Sequence, residues 1–201
     1  MKVVITGSKK SGIKPGIHKM NAWLHEYFSQ FDLVQISRTT GYDFDTDYDK
    51  AVEVARTADI FVNSACVKDY QVKFLNDVYG HVPTIICLGS IAGDMFGAPQ
   101  KYDNHPNYPE VKHELKERCK WIQLEKKQGV KTNLLHLNIT ETKEVEWNTE
   151  GLDKNQLFNT LDFWLNNQYI SNIGYKFWSE NYGEQKLAKV KGVVDHFKQR
   201  K

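Results

Sequence analysis

A tyrosine and a lysine, Tyr108 and Lys112, stand four residues apart in a segment with helical spacing. Residues four apart share one face of a helix, so Lys112 is predicted to lie one turn beyond Tyr108. A phenol has an ordinary pKa near 10, and lowering it to about 7 needs roughly 4 kcal/mol of preferential phenolate stabilisation. A neighbouring ammonium group can supply much of that stabilisation. The pair is therefore a candidate for moving a proton near neutral pH.

A glycine-rich segment at the N-terminus is a candidate phosphate site. An apolar run ending at Thr6 is followed by three glycines that lead into a segment of helical period. Glycines let the backbone approach a phosphate closely, and a helix start supplies N–H groups and partial positive charge. The spacing departs from G-x-G-x-x-G, so an ordinary turn is the alternative. A P-loop is disfavoured because Ile13 and Lys14 stand where Lys and Ser/Thr are needed. The predicted residues are Gly7, Ser8, Lys9, Lys10, Gly12, Ile13, Gly16 and Ile17.

The end of the second predicted strand indicates which dinucleotide would bind. An acidic residue there would bond the adenosine ribose hydroxyls, whereas this chain has Ser37 followed by Arg38. A small residue and a cation leave room for a 2′-phosphate and neutralise it. The sequence therefore favours NADP over NAD, and solvated side chains at Arg38, Lys9 and Lys10 are the alternative.

Short β-branched runs alternate with segments of helical period, which is typical of crossover units and a parallel sheet. Strands are predicted at residues 2–6, 33–37, 59–63, 84–90, 133–139 and 169–173. Helices are predicted from Ile17 to Phe31, then at 48–57, 70–78, 109–127 and 154–166, the last with Asp153 as its N-cap. We expect an α/β fold with a Rossmann-type, doubly wound parallel sheet of about six strands in three α/β/α layers.

The chain of 201 residues shows no repeat and no linker, so one domain is expected. Residues 184–201 have helical spacing among basic side chains, which predicts an amphipathic docking helix, with nucleic-acid binding as the alternative. Apolar runs are too short to cross a bilayer, and no secretory signal is seen, so a cytoplasmic protein is expected. The three cysteines, Cys66, Cys87 and Cys119, are interpreted as reduced thiols of the core. The histidines are scattered and form no cluster, so no metal site is predicted.

Six segments in order resemble the short-chain dehydrogenase/reductase family, over nearly the whole chain. The glycine loop resembles TGxxxGIG with an insertion, and residues 61–66 (Phe-Val-Asn-Ser-Ala-Cys) resemble the LVNNAG strand end. Residues 90–93 (Ser-Ile-Ala-Gly) resemble the segment of the family's serine, and residues 108–112 match YxxxK. Asp43-Phe44 resembles the pair beside adenine, and residues 133–142 resemble the strand that ends in PGxxxT.

The resemblance implies roles for these residues. Tyr108 would be the general acid/base, Lys112 would lower its pKa and hold the nicotinamide ribose, and Ser90 would hydrogen-bond the carbonyl. Asn76 would stand for the asparagine of the proton relay, although a core or helix-surface role is the alternative. The remaining residues implied for the cofactor are Asp43, Phe44, Asn63, Ser64, Ala65, Ile139 and Thr142.

The sequence also departs from the family. Pro109 disfavours helical geometry at Tyr108, which predicts a tyrosine at the helix cap. Tyr102 is a rival phenol, but Pro106 stands four residues after it. Residues 38–43 and 66–84 are short for the family, so the helix and strand that normally follow the second strand are expected to be missing.

The expected function is NADP(H)-dependent hydride transfer between nicotinamide and a small carbonyl or alcohol substrate, in a protein that could form homo-oligomers. The alternatives are a catalytically inactive nucleotide-binding regulator or scaffold and, third, a nucleic-acid binder that uses the basic C-terminal segment.

Overall fold

The computed structural model of the protein describes residues 1–9, 17–95, 107–125, 130–139, 152–167 and 172–175. For residues 17–19, 91, 95, 125, 139 and 172–175 only the backbone is described. The predicted C-terminal helix at 184–201 lies outside these ranges. Within the described residues no helix is long and apolar enough to span a membrane.

Six parallel strands form one sheet, which confirms the predicted fold class. The strands are β1 (Lys2–Thr6), β2 (Asp32–Ile36), β3 (Ile60–Asn63), β4 (Thr84–Leu88), β5 (Asn133–Ile139) and β6 (Asn172–Tyr175). Their spatial order is β2-β1-β3-β4-β5-β6. β2 pairs with one side of β1 and β3 with the other, and all five pairings are parallel. No described strand lies beyond β2, in agreement with the shortening expected after the second strand.

Five α-helices connect these strands, close to the predicted bounds. They are α1 (Ile17–Tyr27), α2 (Tyr48–Arg56), α3 (Tyr70–Val78), α4 (Tyr108–Glu125) and α5 (Lys154–Asn166). α1 continues into a short 3-10 turn at Phe28–Gln30, and further 3-10 turns lie at Arg38–Thr40 and Ile91–Met95. Asp153 caps α5 as predicted, because its side chain accepts the Gln156 N–H at 2.9 Å and the Gln156 side chain accepts the Asp153 N–H at 3.1 Å. β6 overlaps the last predicted strand at residues 172 and 173, and the predicted residues 169–171 lie outside the described ranges.

The side chains of successive strand residues point to opposite faces, so the sheet carries two separate cores. One core joins Val4, Phe61 and Ile85 to residues of α2, α3 and α4. The other joins Ile5 and Val62 to residues of α1 and α5. The sheet is therefore the middle of three layers, as predicted. Cys87 and Cys119 are buried free thiols, and Cys66 is a free thiol that is partly exposed.

Candidate active site

The sheet order changes direction between β1 and β3, since β2 follows β1 on one side and β3 pairs with it on the other. In open parallel sheets, ligands bind outside the carboxyl ends of the strands at such a switch point. The segment that begins at Gly7 leaves β1 at this point, and Ser64 and Ala65 leave β3 beside it. The predicted nucleotide residues of β1 and β3 are therefore brought together.

Gly7 adopts a backbone conformation that favours glycine, with φ of 104°. A Cβ atom at this position would lie 2.8 Å from Nδ2 of Asn21 and 3.3 Å from Oγ of Ser64. The ring Nε2–H of His25 donates to the Gly7 carbonyl oxygen at 3.3 Å, and burial lowers the pKa of His25. This position therefore requires glycine for two reasons: its backbone conformation is unfavourable for other residues, and Asn21 and Ser64 leave no room for a side chain.

Thr6 ties the ends of β1 and β3 together. Its Oγ1 accepts the backbone N–H groups of Ser64 at 2.9 Å and Ala65 at 3.1 Å. The Ser64 hydroxyl donates in return to the Thr6 carbonyl oxygen. Thr6 and Ser64 are both fully buried. These bonds hold the carboxyl ends of β1 and β3 together, and they bond the Ser64 hydroxyl within the protein.

The residues predicted to bind the adenosine follow β2, where the Arg38 side chain pairs with a carboxylate. Arg38 is exposed, with 77% of its side chain accessible, and its Nε lies 3.0 Å from Oδ2 of Asp43. Ser37 Oγ is within 2.9 Å of Thr39 Oγ1, and the latter is 3.5 Å from Ser8 Oγ. The structure therefore places Ser8, Ser37, Arg38 and Asp43 in one neighbourhood.

The Phe44 ring belongs to the core below this segment. Its accessible fraction is 8%, and its centroid lies 5.2 Å from that of Phe74 and 5.6 Å from that of Tyr70. The Phe44 side chain is thus buried in the core, whereas the Asp43 side chain is partly exposed at the surface.

The predicted pair of Tyr108 and Lys112 lies at the start of α4, one turn apart. The helix begins at Tyr108 with Pro109 as its second residue, so the tyrosine lies inside the helix and not at a cap outside it. The backbone N–H of Val111 donates to the carbonyl oxygen of Asn107 at 3.0 Å, which closes this first turn. Pro109 lacks an N–H group, but the first helical N–H groups have no intrahelical partner in any case, so the proline is tolerated. Nζ of Lys112 lies 5.5 Å from the centre of the Tyr108 ring.

Lys112 is almost fully buried, with 1% of its surface accessible. Its Nζ donates to the Leu88 carbonyl oxygen at 2.7 Å and to Oε1 of Gln71 at 2.8 Å. Burial lowers the pKa of Lys112 because the ammonium form loses its hydration. The lysine is thus held at the carboxyl end of β4 by neutral acceptors.

Ser90 reaches the same edge because it follows Leu88 by two residues. Its Oγ accepts the backbone N–H of Ala92 at 3.2 Å, and its carbonyl oxygen accepts the N–H of Gly93 at 3.0 Å. Gly93 lies directly on α4, since a Cβ there would be 2.7 Å from the backbone carbonyl carbon and oxygen of Lys112. Ser90, Tyr108 and Lys112 therefore belong to two segments in direct contact.

Asn76 is not part of this arrangement. It lies on the exposed side of α3, where its Oδ1 accepts from Nε of Arg118 at 2.5 Å. The α3 side chain that does reach Lys112 is that of Gln71, which was not singled out in the sequence. The sequence does carry a signal for Gln71: it is a polar residue on the same face of the helix as Leu75 and Val78, both of which are buried.

Several predicted residues are not tested by these contacts. Lys10, Gly12, Ile13, Gly16 and Thr142 lie outside the described residues, and Ile17 and Ile139 have only their backbone described. Lys9 is exposed. In the part of the chain that the structure describes, no group of three or more His, Cys, Asp or Glu side chains could hold a metal ion.

Solved structures with the same fold were found at low sequence identity. A short-chain dehydrogenase from Sphingobium yanoikuyae in complex with NADPH has a TM-score of 0.56 and 13% identity, covering 98% of this chain and 95% of the other. The 3-alpha-hydroxysteroid dehydrogenase from Pseudomonas sp. B-0831, complexed with NADH, has a TM-score of 0.58 and 16% identity, with coverages of 87% and 94%.

A third similar structure is the bulky-bulky ketone specific alcohol dehydrogenase from Comamonas testosteroni, with a TM-score of 0.54, 13% identity and coverages of 96% and 93%. No family model and no curated protein matches the sequence. The glycine turn after β1 and the Lys112 side chain at the end of β4 both lie at the carboxyl edge of the parallel sheet. The chain therefore has the fold of the short-chain dehydrogenases/reductases.

Proposed function

We propose that this protein is an NADP(H)-dependent oxidoreductase that transfers hydride between nicotinamide and a small carbonyl or alcohol substrate. The observation that carries the proposal is the buried Lys112 ammonium, 5.5 Å from the Tyr108 ring at the carboxyl end of β4. A buried lysine beside a phenol, at the ligand-binding edge of a doubly wound sheet, is suited to proton transfer at a bound substrate.

The residues of the crevice fit a dinucleotide. Gly7 follows the carboxyl end of β1 and carries no side chain, so a phosphate could approach its backbone closely. Ser8 and Arg38 lie toward the end of β2, where the adenosine would be held, and Ser64 and Ala65 line the exit of β3. When bound, the nicotinamide would supply the hydride acceptor or donor.

Three side chains of this chain would handle the substrate. The Tyr108 hydroxyl would give a proton to the carbonyl oxygen in reduction and take one from the alcohol in oxidation. The positive charge of Lys112 would stabilise the phenolate form of Tyr108. Ser90 would donate its O–H to the substrate oxygen, because its bond with the Ala92 N–H uses only a lone pair of Oγ.

Calorimetry with NADPH and NADH, followed by an assay of NADPH absorbance across a panel of aldehydes and ketones, tests this function. We expect NADPH to bind with heat release and at least one carbonyl compound to be reduced. Failure to bind either coenzyme would overturn the proposal. Binding without turnover on the panel would instead identify a nucleotide-binding regulator.

The choice of NADP over NAD depends on Arg38. Its ion pair with Asp43 is exposed, and such pairs contribute at most about 1 kcal/mol, so a 2′-phosphate can compete for the guanidinium. We expect Arg38→Ala to weaken NADPH binding by about 10-fold, equivalent to ~1.4 kcal/mol, and to leave NADH binding nearly unchanged. Calorimetric dissociation constants for the two coenzymes measure this difference.

The matched control is Asp43→Asn, which removes the competing carboxylate and keeps the side-chain shape. NADPH binding by this variant should strengthen relative to NADH binding, because the anionic neighbour of the 2′-phosphate is gone, whereas a lost adenine contact of Asp43 would weaken both coenzymes equally. Equal losses of NADPH and NADH affinity in Arg38→Ala would contradict a contact with the 2′-phosphate.

A further inference from the structure

Gln71 is a fully buried amide in the first turn of α3, and it bonds to three different parts of the fold. Its Nε2 donates to the carbonyl oxygen of Asn63 at 2.8 Å and to that of Leu88 at 3.0 Å. Its Oε1 accepts from Nζ of Lys112 at 2.8 Å. One side chain thereby joins the ends of β3 and β4 to the lysine of α4.

The orientation of this amide is determined by its partners. A carbonyl oxygen can only accept, so the NH₂ group must face Asn63 and Leu88, and Oε1 must face Lys112. The backbone of Gln71 is held as well, because Nδ2 of Asn63 donates to the Gln71 carbonyl oxygen at 2.7 Å. Gln71 therefore presents a fixed neutral acceptor to the ammonium group.

No carboxylate bonds to Lys112 among the described residues, although the lysine is buried. The side chains recorded around it carry thiol, hydroxyl or amide groups and no carboxylate: Cys66 after β3, Cys87 of β4, Cys119 and Tyr108 of α4, and Gln71 of α3. A carboxylate in this place would pair with the ammonium and cancel its field at the phenol. An amide acceptor holds the nitrogen in position and leaves its charge uncancelled.

We propose that Gln71 is a positioning residue that fixes the ammonium group of Lys112 and keeps its charge available to Tyr108. This role rests on the proposed function insofar as Tyr108 and Lys112 act in turnover. The contact itself can be tested without turnover. In the alternative, Gln71 only joins two strand ends. That role would need the two amide donors, and it would not depend on the charge of Lys112.

The test compares Gln71→Glu and Gln71→Met by NMR titration of the lysine ε-carbons, with the Lys112 signal assigned by its loss in Lys112→Arg. The glutamate carboxylate would favour the ammonium form and raise the pKa of Lys112, whereas methionine would remove an acceptor and lower it. We expect shifts of opposite direction, by about one pH unit or more for Gln71→Glu. Lys73→Gln, an exposed change two residues along the same helix, should leave the titration unchanged.

The activity of the same variants supplies a second measurement. Both changes weaken the positive field at Tyr108. In Gln71→Glu the carboxylate pairs with the ammonium group of Lys112, and in Gln71→Met the lysine is deprotonated over more of the pH range. The pH of half-maximal kcat/KM for alcohol oxidation should therefore rise in both variants and stay at the wild-type value in Lys73→Gln.

The outcomes separate the two proposals. Lys112 titrating as in wild type in both variants would overturn the role of Gln71, whatever the activity. Opposite shifts with no turnover by the wild-type protein would overturn the oxidoreductase function and retain the Gln71–Lys112 contact. Both variants lose the amide donors to Asn63 and Leu88. If only one of them folds, the titration of that variant against wild type decides the matter alone.

Discussion

Tyr108→Phe should reduce turnover by about 10³-fold while leaving the dissociation constant of NADPH unchanged, within the ~10²–10⁴-fold range typical of lost general acid/base catalysis. The substitution removes only the hydroxyl that would move the substrate proton. The ring remains, and with it the packing beside Lys112, whose Nζ lies 5.5 Å from the ring centre. Steady-state kinetics and calorimetry on the same preparation measure the two effects separately.

The rival phenol provides the control for this prediction. Tyr102 has Pro106 four residues after it, where Tyr108 has Lys112. Tyr102→Phe should retain turnover close to that of wild type. Retained activity in Tyr108→Phe together with its loss in Tyr102→Phe would transfer the acid/base role to the other tyrosine.

Gly93→Ala should lower the free energy of unfolding by about 2–3 kcal/mol, the cost of overpacking a close contact. The added Cβ would lie 2.7 Å from the backbone carbonyl of Lys112 and 2.8 Å from the backbone nitrogen of His113. Backbone atoms of a helix cannot move aside as a flexible side chain can. The Ile91–Met95 turn must therefore separate from α4, and Ser90 would move with it.

Urea unfolding at equilibrium measures this loss, with an unchanged m-value indicating that stability alone has changed. Gly41→Asn is the matched control, since no atom lies within 4 Å of its Cβ position and asparagine tolerates its φ of 86°. We expect that variant to lose less than about 1 kcal/mol. An unfolding midpoint of Gly93→Ala equal to that of wild type would contradict the close contact between turn and helix.

The alternation of strand and helix was predictable because each element carries its own periodicity. β1 and β5 have the predicted bounds, and α3 and α5 begin and end as the spacing indicates. The burial of Met20, Leu24 and Phe28 on one side of α1 and its continuation also follows the predicted stripe. These features depend on residues at most a few positions apart.

The Tyr108–Lys112 face was predictable for the same reason, but the effect of Pro109 was not. The preference of residues before proline disfavours helix, yet Tyr108 begins α4. The closing bond between Val111 and Asn107 and the packing of the helix outweigh that local preference.

The sequence by itself determined a parallel α/β architecture, a glycine at the turn after β1, and a phenol and an amine on one helical face, because all three follow from local geometry. Only the tertiary structure decided that Gln71, and not Asn76, meets Lys112. Gln71 and Lys112 are 41 positions apart and meet at the ends of two strands. Which polar side chain of a helix is enclosed there depends on how α3 and α4 pack on the sheet, and no short-range spacing encodes that packing.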